Sequence, residues 1–477
     1  MIKAFGYINN QFIRGKNKIN VYSILDNKTK IGIISSCSND DVNKAYEAAY
    51  KCFLNYKNKS LNEKKIILNK IKKVLKQNDE YLAKLISIEI AKPYQDSLDE
   101  ISRSIQYIDE TIHTYEQMIS NPLCFNEQDL KIKGKSATYT LEPLGVILCI
   151  IPFNYPINLL ISKIIPALIT GNSIIIKCSL KSSLVTYELI RLLAKEKGID
   201  KGLINLIVGS SKLHGEALIK NPKLAMVNFT GSSEVGFSIT SKLKNIPVVL
   251  EMGGKDAAVV LKDADLDKTA NEIIKGAFSF NGQRCTAIKR VIVDTTIAHQ
   301  LIEKLNTRIQ ELKCSNDPFQ TKVTITPLIS RETIKMVQTF IRDALSKGAK
   351  LNQPLIIKKN LVHPILLTNI KTNMLIWKHE QFAPILPLIK FKNQLELVKL
   401  INDTDYGLQT SIFTSNINEA IKLANFIDVG TININKSSSR GPDVLPFLGI
   451  KNSGFGVQGI TEAIKSMTRL KGIIINK

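Results

Sequence analysis

LAMVNFTGSSEVGFSI, residues 224–239, changes character at Thr230: a short apolar run ends in Gly231, Ser232 and Ser233, and apolar residues then recur at helical spacing. A run of this length closed by glycine reads as a buried strand, and serines ahead of a periodic stretch mark a helix start. The same signature surrounds it. GVILCIIPF (145–153), NSIIIKC (172–178), LINLIVG (203–209) and IPVVLEMGG (246–254) are strand-like, and SSLVTYELIRLLAKEKG (182–198) between them is helical. Buried strands alternating with helices predict a parallel, doubly wound α/β sheet.

A second series follows Glu251. AIKRVIVDTT (287–296), APILPLIKF (383–391), LQTSIFT (408–414) and VGTINI (429–434) predict further strands of another α/β unit, so the two units should meet near residue 251. Upstream, residues 41–119 carry apolar residues at helical spacing, as in DVNKAYEAAYKCFL and LNEKKIILNKIKKVL. The polar stretch 129–145, DLKIKGKSATYTLEPLG, reads as a hairpin, and RLKGIIINK (469–477) as a closing strand. Exposed edges of this kind often pair with another subunit.

The 477 residues are 44% hydrophobic and 22% charged, which excludes extensive disorder and leaves ample interior for a water-excluding site. Sixty-five basic against 42 acidic residues give a net charge of +23. Lysines are spread along the chain without a basic block, so a generally basic surface that attracts phosphorylated molecules is expected, with no nucleic-acid groove. Seven cysteines stand singly with no CxxC pair, which points away from a disulfide framework or zinc site and towards the cytoplasm. INLLISKIIPALIT (157–170) is interrupted by Lys163 and Pro166, so no membrane partner is expected.

Five positions invite chemistry. Gly209 and Gly231–Ser232 each sit at a strand-to-helix turn, where free N–H groups suit a phosphate; the GxGxxG spacing is missing, and an ordinary turn is the plain alternative. Cys285 lies in NGQRCTAIKR, preceded by Arg284, where positive charge and helix N–H groups would favour a thiolate; a buried structural thiol is the competing reading. Glu251 ends a strand ahead of two glycines, placed to reach a cleft where burial raises its pKa and equips it to activate water. Asn154, in IIPFNYPINLL, offers an amide to an oxyanion or caps the next helix.

PFNYPINL, FTGSSEVG, LEMGGKD, GQRCTAIKR, EQFAPILP and PFLGIKNSGFG, in this order, resemble the aldehyde dehydrogenase superfamily nearly end to end. FNYP, GQRCTAIKR and INKSSSRGPDVLPFLGIKNSGFGVQG narrow the resemblance to its non-phosphorylating, NADP-dependent glyceraldehyde-3-phosphate branch. The resemblance implies an aldehyde dehydrogenase-like α/β fold with three parts. A Rossmann-type dinucleotide-binding domain takes 1–120 and 146–251, a catalytic domain takes 252–450, and a small β oligomerisation element of a homotetramer takes 121–145 and 451–477.

It also implies roles. Cys285 is the nucleophile, Asn154 with the Cys285 N–H holds the oxyanion, and Glu251 activates the water that hydrolyses a thioester. Lys177 and Glu380 occupy ribose-binding positions, Phe382 lies beside the nicotinamide ribose, and Ser232 near the pyrophosphate. Leu180 replaces a ribose-binding glutamate of NAD-preferring relatives; with Ser179 and Lys181 beside it, NADP is the expected cofactor. Arg103, Tyr155, Arg284 and Arg440 match a substrate-phosphate site, although Arg103 alone reads as an intrahelical ion pair in DEISRSIQYIDE. The expected reaction is irreversible oxidation of D-glyceraldehyde 3-phosphate to 3-phosphoglycerate. Its rivals are a succinate-semialdehyde or lactaldehyde dehydrogenase, a phosphorylating dehydrogenase, and a catalytically inactive basic scaffold that binds RNA.

Overall fold

The computed structural model describes residues 1–477. Its first sheet has eight strands in the order Gly454–Phe455, Val248–Glu251, Leu224–Thr230, Val146–Ile150, Ser173–Lys177, Ile204–Ile207, Gly6–Ile8, Gln11–Ile13. The five central strands are parallel; Gly454–Phe455 and Gly6–Ile8 run antiparallel to them, and Gln11–Ile13, antiparallel to Gly6–Ile8, runs in their direction. The central strands are mostly apolar because helices cover both faces. On one side lies the helix Asn158–Thr170, buried on every face, beneath Tyr94–Ser120 and Ile460–Ser466. That explains INLLISKIIPALIT: Lys163 and Pro166 do not break it, and the run is apolar all round because it has no solvent face.

The second sheet orders Lys350–Leu351, Ile365–Thr368, Ile385–Phe391, Arg290–Asp294, Ala257–Val260, Gln409–Phe413, Thr431–Ile434, parallel except at its first strand. Strand periodicity feeds a core on each face. Ala257 and Val259 enter one apolar cluster, whereas Ala258 and Val260 enter the other.

A third, antiparallel sheet joins Leu123–Phe125, Lys135–Pro143 and Thr468–Asn476. Two expectations change here. Residues 129–145 form no hairpin of their own; their one long strand pairs with 123–125 and, over nine residues, with the C-terminal strand. Residues 451–477 are also not one element. Gly454–Phe455 pairs with Leu250 and Glu251 in the first sheet, and Ile460–Ser466 packs on its helices, so only 468–476 joins the third sheet. Local patterning does not report such pairings, because a two-residue strand carries no periodicity. No helix is long and apolar enough to cross a membrane.

Leu168 is fully buried in the Asn158–Thr170 helix. Leu168→Ala is expected to cost about 3 kcal/mol through lost transfer energy and a residual cavity, read as a lower urea midpoint; an unshifted midpoint would contradict this packing.

Candidate active site

The first sheet presents its carboxyl ends to the second sheet's amino ends. Asn154, Lys177, Gly209, Gly231 and Glu251 all lie at or just beyond the ends of parallel strands, where open α/β sheets bind ligands. Opposite them, Cys285 precedes the strand Arg290–Asp294, and Glu380 and Phe382 precede Ile385–Phe391. Between the sheets is a cleft of about 400 Å³. It is lined by Cys285, Asn154 and Glu251, by Arg103, Tyr155, Arg284 and Arg440, and by Ser179, Gly231, Ser232, Glu380 and Phe382.

No helix begins at Cys285, contrary to the reading that helix N–H groups activate it. It sits in a turn after the short helix Ser279–Gly282, half-buried. The approach is strained: Phe280 and Asn281 both have left-handed φ, +46° and +59°. For non-glycine residues this costs of order 1–3 kcal/mol each and persists only where neighbours enforce it. Asn281 accepts the Thr326 N–H at 2.7 Å, and Gln283 accepts the Ile329 N–H at 3.0 Å, pinning the loop. Burial pushes the Cys285 thiol up to about 11; Lys289 and Arg440 oppose the rise, and Glu251 and Asp256 add to it.

Asn154 does not cap the following helix. Its Nδ2 donates to the Gln283 carbonyl at 2.9 Å, which directs the amide towards the Cys285 loop. The helix start is served instead by Glu100, whose Oε1 accepts the N–H groups of Ile157 and Asn158 at 2.8 and 3.0 Å. Glu100 is paired with Lys92 at 2.7 Å, both fully buried, and the Lys92 ammonium lies 3.5 Å from the centre of the Tyr155 ring and donates to the Asn154 carbonyl.

Glu251 corrects a second expectation. Burial does push its carboxyl up, but Arg440 at 2.8 Å, Lys163 at 3.4 Å and the Thr230 hydroxyl at 2.6 Å outweigh it and hold the pKa below the usual range. The group is a buried, paired carboxylate with no raised pKa.

The four proposed phosphate ligands do converge on the cleft, though two of the arginines are engaged. Arg103 makes no intrahelical pair; its Nε and Nη2 both reach Asp443 at 2.8 Å. Arg440 faces Glu251 and stacks over Phe447. Arg284 donates one bond to the Gly276 carbonyl at 2.6 Å, and its buried Nε has no partner.

On the cofactor side the expected residues divide. Ser179, Gly231, Ser232, Glu380 and Phe382 line the cleft, whereas Lys177, Lys181 and Gly209 do not. The Lys177 ammonium is buried on the Cys178 carbonyl at 2.7 Å, and Lys181 is exposed beside a separate cavity with Ser330 and Glu332. Gly209, at φ +124°, leaves room for Ser36 and His214, which any Cβ would strike. Ser232 caps the helix Ser233–Thr240 as expected. Phe382 is held at φ +41°, edge-on to Phe153 at 6.1 Å.

Several residues around the site escaped the sequence reading: Lys92, Glu100, Lys163, Thr230, Lys289 and Asp443. Charged residues inside apolar stretches, such as Lys163, were the available signal, because an unpaired buried charge is too costly to keep.

A half-buried thiol flanked by amide donors, opposite a buried carboxylate and beside a serine-capped helix, is the apparatus for covalent oxidation of a carbonyl. The chain belongs to the aldehyde dehydrogenase family, whose sequence pattern matches residues 12–473. Among its relatives, the NADP-dependent glyceraldehyde-3-phosphate dehydrogenase of Streptococcus equinus is 36% identical, covering 98% of this chain and 98% of its own. The enzyme of that name from Apium graveolens is 37% identical, covering 93% of this chain and 89% of its own. The crystal structure of NADP-dependent glyceraldehyde-3-phosphate dehydrogenase from Bacillus halodurans complexed with NADP superimposes with a TM-score of 0.96 at 37% identity, over 100% of both chains.

With the thiol near 11, only the thiolate alkylates, so the rate of Cys285 alkylation in the protein alone should climb about tenfold per pH unit between pH 7 and 9. A plateau below pH 8 would show a thiol far more acidic than this environment allows.

Proposed function

We propose that this protein oxidises D-glyceraldehyde 3-phosphate to 3-phosphoglycerate with NADP and water, without inorganic phosphate. The observation that carries the reading is the convergence of Cys285, Asn154 and Glu251 with Arg103, Tyr155, Arg284 and Arg440 in one cleft. The named relatives are glyceraldehyde-3-phosphate dehydrogenases, and the Bacillus structure holds NADP.

The residues present fit a dinucleotide. Gly231 and Gly253 line the cleft, and a Cβ on either would strike the Phe229 ring or the Glu380 carboxylate, so the cleft wall is backbone at both places. The first N–H groups of the helix Ser233–Thr240, beyond its Ser232 cap, suit a pyrophosphate. Ser232, Glu380 and Phe382 would hold the cofactor's pyrophosphate and nicotinamide ribose, with Ser179 on the adenosine side and Lys177 behind it, its ammonium held by the Cys178 carbonyl. Leu180 puts no carboxylate against a 2′-phosphate, and Lys181 supplies charge nearby. When bound, NADP supplies the hydride acceptor.

Cys285 attacks the aldehyde carbon as its thiolate, the thiol proton having passed to water, and its own N–H with the Asn154 amide receives the oxyanion of the resulting thiohemiacetal. Loss of hydride leaves a thioester on Cys285. Glu251, already ionised, takes a proton from the water that hydrolyses the thioester and releases the acid. Because Arg440 holds Glu251, entry of the substrate phosphate that draws on Arg440 also loosens the base. Arg284, with an unpartnered buried Nε, is the donor most ready for that phosphate.

The assembly proposed is a homotetramer that uses the third sheet, whose terminal strand exposes Leu470, Ile473, Ile474 and Ile475. The division proposed is into cofactor, catalytic and oligomerisation units, with Gly454–Ser466 counted with the cofactor unit because Gly454–Phe455 pairs with Leu250 and Glu251. The setting proposed is the cytoplasm, where seven free thiols stay reduced.

In phosphate-free buffer, glyceraldehyde 3-phosphate should yield one NADPH per acid, and Cys285→Ser should abolish turnover. Loss of one charge-assisted contact costs about 1.5–3 kcal/mol, so Arg284→Leu should raise KM for the phosphorylated triose roughly 10- to 100-fold and leave unphosphorylated glyceraldehyde unaffected. Equal effects on both aldehydes would favour a lactaldehyde or succinate-semialdehyde dehydrogenase. Glu251→Gln should release one equivalent of NADPH per subunit in a burst and then stall, because acylation is intact and hydrolysis is not.

A further inference from the structure

Lys289 lies four residues beyond the nucleophile and is almost completely buried. Its ammonium donates to the carbonyls of Arg284 at 2.9 Å and Cys285 at 2.6 Å, reaches that of Ala287 at 3.4 Å, and stands 3.3 Å from Glu380 Oε1. The lysine's own backbone is anchored at both polar groups. Its N–H donates to the Asp256 carbonyl at 2.9 Å, and its carbonyl accepts Gln381 Nε2 at 2.8 Å. One cation, anchored through residues that border three strands of the second sheet, therefore grips the loop that carries Cys285.

The geometry has a directional consequence. In a trans peptide the carbonyl and the following N–H point to opposite sides, so the grip on the Arg284 carbonyl turns the Cys285 N–H away from the ammonium. That N–H meets no acceptor in the protein, and Asn154 Nδ2 approaches the same loop through the Gln283 carbonyl. The Ala287 N–H also bonds the Arg284 carbonyl, at 3.2 Å, but as part of the turn itself; only Lys289 ties the peptide to something outside it. Glu380, at the other end of the ammonium, also accepts the Gly254 N–H at 3.1 Å.

We propose that Lys289 is a positioning residue: it aims the Cys285 N–H at the oxyanion and links the nucleophile's loop to Glu380, so that cofactor binding and nucleophile geometry are set by one buried cation. This rests on the oxidation mechanism above for the oxyanion, but not for the grip on the loop. The thiol is faced by Lys289 and Arg440, which favour its thiolate, and by Glu251 and Asp256, which oppose it; removal of Lys289 leaves the acidic pair more weakly balanced.

The test uses full-length Lys289→Met and Lys289→Arg, with Lys289→Gln replacing the methionine variant if that one does not fold. Two readings are taken: iodoacetamide alkylation of Cys285 against pH in the protein alone, and kcat and KM with glyceraldehyde 3-phosphate and NADP. In Lys289→Met, alkylation should require a pH higher by about one unit, and kcat should fall at least about tenfold while KM for the aldehyde stays within threefold. Lys289→Arg, which keeps charge and donors, should recover most of both. A folded Lys289→Met or Lys289→Gln with unchanged alkylation and kcat overturns the proposal, as does an equal loss in Lys289→Arg. If the wild type fails to oxidise the phosphorylated triose, the functional reading falls, and the alkylation profile still decides the role of Lys289.

Discussion

Between Glu251, the last residue of its strand in one sheet, and Ala257, the first of the next strand in the other, the chain must cross from sheet to sheet with no room to spare. Gly253 and Gly254 make the crossing. A Cβ on the first would lie 2.3 Å from Glu380, and one on the second 3.0 Å from the Cys285 carbonyl. Because neither exists, the Glu380 carboxylate, the Cys285 loop and the Glu251 carboxylate share one junction. Widening it by a methyl group would move all three, since packed interiors transmit strain.

Around that junction the fold arranges its charges in series. Glu100 receives the start of a buried helix and holds Lys92, which steadies Asn154 and Tyr155. Lys163 and Arg440 keep Glu251 ionised, and Lys289 grips the peptide ahead of Cys285. Each of these cations is buried, and each is tolerated because its donors end on carboxylates or carbonyls. The paired state also explains how a buried carboxylate can remain a base: ionisation comes from its neighbours, with burial acting against it.

Much of the fold was legible along the chain. The parallel strands from 146 to 251 and from 257 to 434 stand where apolar runs alternate with helical periods, because strands covered on both faces must be mostly apolar. The edges were not legible. Gly454–Phe455 is too short to show a period, and 135–143 is a single strand because its partner lies more than three hundred residues away. Motifs brought out Cys285, Asn154, Glu251 and the arginines, since chemistry restricts residue type. Lys92, Lys163, Lys289 and Asp443 went unread because a lysine or aspartate in a sequence looks alike whether it meets water or a buried partner.

The sequence by itself therefore determined the architecture of two α/β units, the cysteine proposed as nucleophile, and the family to which the chain belongs, because backbone periodicity and reactive side chains are local properties. Only the tertiary structure decided the protonation of Glu251, the pairing of Arg103 with Asp443, the turn in place of a helix at Cys285, and the place of Lys289. Those depend on which charges lie within a few ångströms after folding, and electrostatic energies inside a protein vary with separation and burial rather than with order along the chain.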